Sequence, residues 1–336
     1  MLNQMNNYEG PLRRELNMNK RIFWVDNARG FAMLLILLGH SYPPYDLKMW
    51  IYSFHVPLFF FLSGYLFKKR NIIDTIRRKN RSLLMPYFLT ALISIPFGVV
   101  IYKMVGKPMI DLFYGFFYLN GSVGWNAPIW FLVVLFWVEV SFAIIVKLNL
   151  NDSSILFFTL IIGFYIYTNK IFIPFGLNIA IWNLPFYHIG YLIRKAKVLE
   201  TINFNKLISE LAGVFFILFT GWISVLFNSA VPEAYHEQLG NYFIYYPVAL
   251  VGIVGVIGVF RYTQPISFLT EISSNSLFIL CSQYFIIFGI KLVYRIVGLG
   301  DLSGAGYIES ILLTIFIILC YSIFFFIKKG CSDHNR

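Results

Sequence analysis

Long apolar runs separated by short basic loops restrict the fold of this chain more than any other feature. Ten runs are long enough to cross about 30 Å of hydrocarbon, at approximately 24–42, 50–67, 82–102, 127–147, 154–168, 177–193, 208–227, 242–260, 275–297 and 307–327. The pattern predicts an all-α integral membrane protein with about ten transmembrane helices. One membrane domain, residues 23–329, is expected between a polar N-terminal tail (1–22) and a C-terminal tail (330–336).

The composition favours the same class of protein. The 336-residue chain is 58% hydrophobic and only 13% charged, whereas soluble domains are about 25% charged. The net charge of +11 would also suit a nucleic-acid-binding protein, but the basic residues cluster in loops between apolar runs, as membrane topology requires. We therefore expect the lipid bilayer, and no nucleic acid, as a partner.

The distribution of basic residues predicts the orientation in the membrane. Ten spans place both termini on one side. If that side is the cytoplasm, the inner loops contain the dense cluster at 68–81, and the outer loops contain only Lys48, Lys103, Lys107 and Lys170, with Lys291 and Arg295 near the outer end of the ninth run. Lys and Arg are enriched in cytoplasmic loops, so both termini are predicted to be cytoplasmic, in the plasma or inner membrane.

Arg29 and His40 are the first candidate functional residues. They are eleven residues apart in the first apolar run, which is three helical turns, so they share one helix face about 16 Å apart. Ionisable residues inside a membrane are costly and usually face a protein interior or a wet cavity. Arg29 as a topology anchor and His40 as an interhelical hydrogen-bonding group are the structural alternatives; the functional interpretation makes His40 a general base.

Two further candidates accompany this pair. Asp26 suits an N-terminal cap of the first helix and can pair with Arg29 one turn later. His55 lies just inside the outer end of the second run, ahead of Pro57, and a short hairpin would bring it into one cavity with His40. A structural role for His55 remains open.

A basic cluster at 77–81 follows the second run. A basic cluster of this kind is typical of a cytoplasmic loop that sets the membrane topology. Arg78 and Arg81, three residues apart at a helix start, also have a spacing that suits binding of phosphates. The cluster is therefore a candidate site for a phosphorylated cofactor that arrives from the cytoplasm.

Together these residues give the chain a recognisable pattern. It resembles the membrane-bound acyltransferase-3 family, particularly its fucose 4-O-acetylase-like branch, through DNARGFAMLLILLGH, FHVPLFFFLSGYL, Arg78-x-x-Arg81 with Pro86-Tyr87, Pro128-Ile-Trp130-Phe-Leu, and LPFYHIGYLIRK at 184–195. The resemblance implies a ten-helix bundle that transfers an acyl group, usually acetyl from acetyl-CoA, to a hydroxyl of a surface glycan. It also implies that His40 is catalytic and that Arg29, Arg78 and Arg81 handle the donor.

The chain departs from the family pattern at two positions. Many members have Trp-Ser-Leu-x-x-Glu in the fourth helix, where this chain has Trp130-Phe-Leu and then Leu135; Glu139, one turn further on, is a candidate substitute. Many members have a histidine in the penultimate helix where this chain has Gln283. Gln283 would bind the acceptor through a hydrogen bond but cannot take a proton, and Trp130 is expected to line the cavity or to pack among aromatic residues.

The expected mechanism places acetyl-CoA at the cytoplasmic face, with its pantetheine arm along the face that carries Arg29 and His40. His40 would deprotonate the acceptor hydroxyl, and Asp26, Ser41 or His55 would orient the imidazole or stabilise the oxyanion. A covalent acetyl-histidine intermediate stays open, and no metal is expected. The acceptor would be a surface glycan or a lipid-linked oligosaccharide. The alternatives are a polytopic transporter or flippase, and a non-catalytic partner in polysaccharide export.

Overall fold

The computed structural model describes residues 22–298 and 306–334, and all regular structure in these ranges is helical. The helices are α1 (Phe23–His40), α2 (Tyr45–Tyr52), α3 (His55–Tyr65), α4 (Ile72–Lys79), α5 (Met85–Val105), α6 (Ile110–Phe116), α7 (Trp130–Leu148), α8 (Asp152–Thr168), α9 (Leu177–Lys195), α10 (Val198–Thr201), α11 (Lys206–Phe227), α12 (Tyr242–Phe260), α13 (Ser267–Ser274), α14 (Ser276–Ile296) and α15 (Tyr307–His334). The predicted all-α class is confirmed.

Six helical stretches among the described residues are long and apolar enough to cross a membrane, which agrees with a multi-pass membrane protein. They are Ile72–Val105, Ala127–Leu148, Lys206–Phe227, Tyr242–Phe260, Ser276–Ile296 and Tyr307–Lys328. The helix Asp152–Thr168 is apolar but shorter. The count of ten spans and the cytoplasmic termini stay predictions, and Arg13, Arg14, Lys20 and Arg21 of the N-terminal tail lie outside the described residues.

The second predicted span is wrong as a continuous helix. The chain forms α2 and α3 there, with a break at Ser53 and Phe54. The Ser53 hydroxyl donates to the Trp50 carbonyl oxygen (2.7 Å), and Phe54 leaves the helical conformation (φ −143°). The indole of Trp50 also donates to the Ile217 carbonyl oxygen of α11 (2.7 Å), which ties α2 to that helix. The connection between the first and second runs, predicted as a short hairpin, therefore contains the separate helix α2.

The helix that contains the third predicted span begins before the span itself. It starts at Ile72 rather than near residue 82, because the Asn71 side chain caps it by accepting from the Ile73 amide (3.3 Å). The helix continues through a π-helical segment, Asn80–Leu84, into α5. Arg78 and Arg81 are thus inside a long helix and not in a loop, and a π segment of this kind is frequent at functional sites.

α1 and α3 lie in the core of the bundle and position the candidate site. Backbones approach closely at two glycines: Gly64 of α3 lies against the Tyr187 backbone of α9, and Gly30 of α1 lies against the Leu269 backbone. Neither position has room for a Cβ atom. This close packing fixes the two helices that carry Arg29, His40 and His55.

Candidate active site

Two cavities meet inside the bundle at Arg29. The histidine cavity, of about 540 Å³, is lined by His40, His55, Trp130 and residues 232–236, among others. The basic cavity, of about 840 Å³, is lined among others by Lys68, Arg70, Arg77, Arg78, Lys79 and Arg81. Four residues line both cavities: Arg29, Ser63, Ser82 and Leu135. The two cavities are therefore neighbours that share part of their lining.

The face of α1 runs along the histidine cavity. Arg29, Met33, Ile36 and His40 all line it, at the three- and four-residue steps of one helix face. The structure thus brings Arg29 and His40 to one cavity, as their eleven-residue separation predicts.

His40 is held by Gln283 of α14. Nδ1 of His40 lies 3.1 Å from Oε1 of Gln283, and Nε2 of Gln283 donates to the Leu280 carbonyl oxygen (3.4 Å). Because an amide oxygen only accepts, Nδ1 of His40 carries the hydrogen and Nε2 keeps its lone pair. The ring edge also packs on Tyr284 (5.1 Å between centroids). His40 is therefore oriented as a proton acceptor.

His55 lies on the same cavity and has the same tautomer. Its Nδ1 lies 2.7 Å from the Ile51 carbonyl oxygen, so Nδ1 is the donor and Nε2 the lone-pair nitrogen. The ring is buried and packs edge-on against Tyr52 (4.8 Å). His55 can therefore assist at the cavity, and its bond to Ile51 also links the start of α3 to the end of α2.

The tip of the loop between α11 and α12 closes one side of the histidine cavity. Pro232, Glu233, Ala234, Tyr235 and His236 all line the cavity, and the Tyr235 ring stacks on Trp130 (6.0 Å, 23°). Burial raises the pKa of the Tyr235 phenol, so the group stays neutral. Sequence reasoning did not assign these residues; the signal that it offered was an acidic, aromatic loop at 228–241 without a single Lys or Arg.

Arg78 and Arg81 lie on the basic cavity together with Arg29. Both are exposed, and they come from the end of α4 and from the π segment. The only acidic side chains that line this cavity in the described part of the chain are Asp74 and Glu139. The cavity therefore has a clear excess of positive charge and suits an anionic ligand.

Glu139 lies on the basic cavity and does not line the histidine cavity. Its carboxylate is buried, forms an ion pair with Lys79, and accepts a hydrogen bond from the Tyr187 hydroxyl (2.8 Å). The structure thus brings Glu139 to the arginines and not to His40. Its contacts tie α4 to α7 and α9.

Asp26 is not the cap of α1. The helix begins at Phe23 with Ile22 in the cap position, so Asp26 lies inside the first turn, where its charge still stabilises the helix dipole. The apolar Trp24 and Val25 are buried in the core, which extends the helix beyond the predicted start. The Asp26 carboxylate accepts from the Ser273 hydroxyl (3.4 Å) and does not line the histidine cavity.

Ser41 is also absent from the lining of the histidine cavity. Its hydroxyl donates to the Leu37 carbonyl oxygen (2.8 Å) and accepts from Thr314 (3.0 Å). Within the described residues, no group of three His, Cys, Asp or Glu side chains has the proximity that a metal ion requires. The chemistry offered by the site is therefore that of imidazoles, arginines and aromatic walls.

Comparison with known proteins supports an acyl-transfer site. A family model described as an acyltransferase domain, that of the acyltransferase-3 family, matches residues 22–327. No curated protein and no solved structure matches the chain. The matched range contains the residues that line both cavities. The chain therefore belongs to the acyltransferase-3 family and is a membrane acyltransferase.

Proposed function

We propose that this protein is an O-acetyltransferase of the fucose 4-O-acetylase-like branch. It would transfer acetyl from acetyl-CoA to a hydroxyl of a surface glycan or a lipid-linked oligosaccharide. One observation carries the proposal: His40, with its lone-pair nitrogen oriented by Gln283, lines a cavity that meets the basic cavity at Arg29. A base in a cavity that adjoins an anion-binding cavity is what transfer from a phosphorylated thioester donor requires.

The basic cavity suits the phosphates of the donor. Arginine binds phosphate in a bidentate manner, and Arg78 and Arg81 are exposed on this cavity with Arg29 at its junction with the histidine cavity. The path from Arg29 to His40 along α1 is about 16 Å by helix rise, which is of the order of a pantetheine arm. The thioester would thus lie beside His40.

His40 serves as the general base in this scheme. Its Nε2 takes the proton of the acceptor hydroxyl while the hydroxyl oxygen bonds to the thioester carbonyl carbon. The carbon–sulfur bond then breaks, and the imidazolium returns the proton to the departing sulfur. Gln283 keeps the ring in place throughout, and His55 offers a second polar group at the same cavity.

The proposal also fixes an orientation. The basic cavity faces the cytoplasm, where acetyl-CoA is available, and the histidine cavity with the loop at 228–241 faces outward. Both termini are then cytoplasmic, and about ten segments cross the plasma or inner membrane. The concentration of Lys and Arg at 68–81 supports this orientation through the positive-inside rule.

The test compares a parent strain, a deletion strain, and the deletion strain complemented with wild type or His40→Ala. Surface glycans are extracted and their base-labile O-acetyl groups quantified by mass spectrometry and NMR, at matched membrane levels of the protein. We expect acetyl groups to disappear in the deletion strain and to return only with wild type. Unchanged acetylation with altered glycan export would favour a transporter, and full restoration by His40→Ala would favour a non-catalytic partner.

A further inference from the structure

The loop tip (232–236) forms part of the wall of the histidine cavity, which α1 lines with His40. Its last three residues form a 3₁₀ turn, Ala234–His236, and Ala234 is buried. The tip also contains Glu233, the only carboxylate that lines the histidine cavity in the described part of the chain. A ligand that approaches His40 through this cavity would therefore contact the tip.

The loop is held in place at both its tip and its base. At the tip, the Tyr235 hydroxyl accepts from the Val123 amide (3.0 Å) and donates to the Ser122 hydroxyl (3.4 Å). At the base, the Asn228 side chain donates to the Leu239 carbonyl oxygen (3.2 Å). These bonds preorganise the wall, so a ligand does not have to order it on binding.

The wall combines aromatic surface with a small number of polar groups. The rings of Tyr235 and Trp130 stack on each other, and both residues line the cavity. Because the Tyr235 hydroxyl is already bonded to the neighbouring loop, its ring is the part that it offers to a ligand. Aromatic walls with few polar groups are typical of sites for small rigid rings.

The polar groups of the wall are paired with each other. Glu233 forms an ion pair with Lys48 of α2, and its second carboxylate oxygen lies 3.9 Å from Nε2 of His236. A carboxylate flanked by a cation accepts hydrogen bonds from hydroxyl groups. It would repel a ligand carboxylate, which would also have to compete with Glu233 for Lys48.

We propose that Trp130, Glu233, Tyr235 and His236 form the acceptor subsite and bind an uncharged pyranose ring. The ring would lie against the aromatic wall with hydroxyls directed to Glu233 and His236, and one hydroxyl would reach Nε2 of His40. This inference rests on the proposed function and deepens it. It makes the loop tip the element that selects the acceptor, whereas the basic cavity selects the donor.

The first experiment separates acceptor binding from donor binding. The deletion strain is complemented with wild type, Tyr235→Ala or the ring-preserving control Tyr235→Phe, and glycan O-acetyl is quantified at matched membrane levels. Binding of coenzyme A to each purified protein in detergent is measured by calorimetry. We expect Tyr235→Ala to lower glycan acetylation at least tenfold and Tyr235→Phe to lower it less, because phenylalanine keeps the ring and loses only the hydroxyl bonds to Val123 and Ser122. All three proteins should bind coenzyme A equally.

Two outcomes overturn the acceptor subsite. Wild-type acetylation by Tyr235→Ala would show that the ring does not contact the acceptor, and a parallel loss of coenzyme A binding would show that the residue acts through the fold. Failure of the proposed function has a different signature, because wild type itself would then restore no acetyl groups.

The second experiment tests the charge of the acceptor. Purified wild type receives radiolabelled acetyl-CoA and methyl pyranosides in pairs that differ only at C6, such as methyl galactoside with methyl galacturonide and methyl glucoside with methyl glucuronide. We expect transfer to neutral members and at least tenfold less transfer to their uronide partners. Equal or greater transfer to the uronides, or transfer to neither, would contradict an uncharged pyranose subsite.

Discussion

The amide oxygen of Gln283 lies 3.1 Å from Nδ1 of His40, so a residue of α14 determines which nitrogen of the imidazole faces the cavity. Gln283 is fully buried and its own amide nitrogen is directed to the Leu280 carbonyl oxygen. The pair therefore has one arrangement, with Nε2 of His40 as the base. Gln283 does not line the histidine cavity, so we expect it to position His40 and not to make the direct contact with the acceptor that the sequence predicted.

We predict that Gln283→Leu slows acetyl transfer more than Gln283→Glu, which keeps an acceptor for the Nδ1–H of His40 but loses the donor to the Leu280 carbonyl oxygen. Leucine keeps the volume but leaves the Nδ1–H without an acceptor, a loss of about 1–3 kcal/mol, which corresponds to about 5- to 150-fold in rate. Glutamate keeps an acceptor oxygen in the same place. Initial rates of acetyl transfer in membranes, at equal protein levels, check this. Equal impairment of both variants would show that Gln283 acts through packing.

Glu139 is expected to act on donor binding and stability, not on proton transfer. Removing its carboxylate leaves Lys79 without its partner, and such losses cost about 3–5 kcal/mol for a fully buried pair. The Lys79 side chain is 32% exposed, which reduces this loss. We therefore expect Glu139→Ala to lower the free energy of unfolding by about 2–3 kcal/mol. Thermal unfolding in detergent measures the stability, and steady-state kinetics separate KM for acetyl-CoA from kcat.

The charge-exchanged double variant Lys79→Glu/Glu139→Lys is the control for the Glu139 prediction. It restores an ion pair between α4 and α7 and should recover part of the stability and of the KM that Glu139→Ala loses. Tyr187→Phe removes only the hydrogen bond from the Tyr187 hydroxyl to Glu139. It should lower the free energy of unfolding by about 1 kcal/mol. A fall in kcat with an unchanged KM would instead place Glu139 in the chemical step.

Arg81 is predicted to bind donor phosphate. Arg81→Ala removes a charge-assisted hydrogen-bonding group worth about 1.5–3 kcal/mol, so affinity for coenzyme A should fall about 10- to 100-fold. Lys69→Ala is the matched control, because Lys69 is exposed in the same basic stretch but does not line the basic cavity. Calorimetry at two salt concentrations checks both variants. Equal effects of the two substitutions would mean that only the overall charge of the surface matters.

Local periodicity predicted one part of the site well. Arg29 and His40 line one cavity because helical geometry depends only on residues a few positions apart. The continuous apolar run around them was sufficient to predict the helix. The start of that helix was less predictable. Asp26 resembles a cap in sequence, but packing of Trp24 and Val25 in the core extends the helix past it.

Contacts between distant segments could not be predicted. Gln283 is 243 positions from His40, and Tyr235 is more than a hundred positions from the Trp130 ring on which it stacks. Nothing in the local sequence around either residue encodes its partner, because the packing of the whole bundle decides it. Glu139 shows the same point: the sequence made it a candidate substitute for the glutamate of the family pattern, and only the contacts of α7 with α4 place its carboxylate beside Lys79.

The close contact at Gly64 gives a physical reason for the SGYL sequence and a last prediction. A Cβ atom at Gly64 would overlap the Tyr187 backbone, which cannot move aside as a flexible side chain can, whereas a Cβ at Gly289 would meet nothing within 4 Å. Gly64→Ala should therefore destabilise the protein by about 1–3 kcal/mol, and Gly289→Ala should stabilise it by about 0.4–1 kcal/mol. Thermal unfolding in detergent compares the two. A wild-type midpoint for Gly64→Ala would show that α3 and α9 are not in backbone contact, and the position of His55 would then need another explanation.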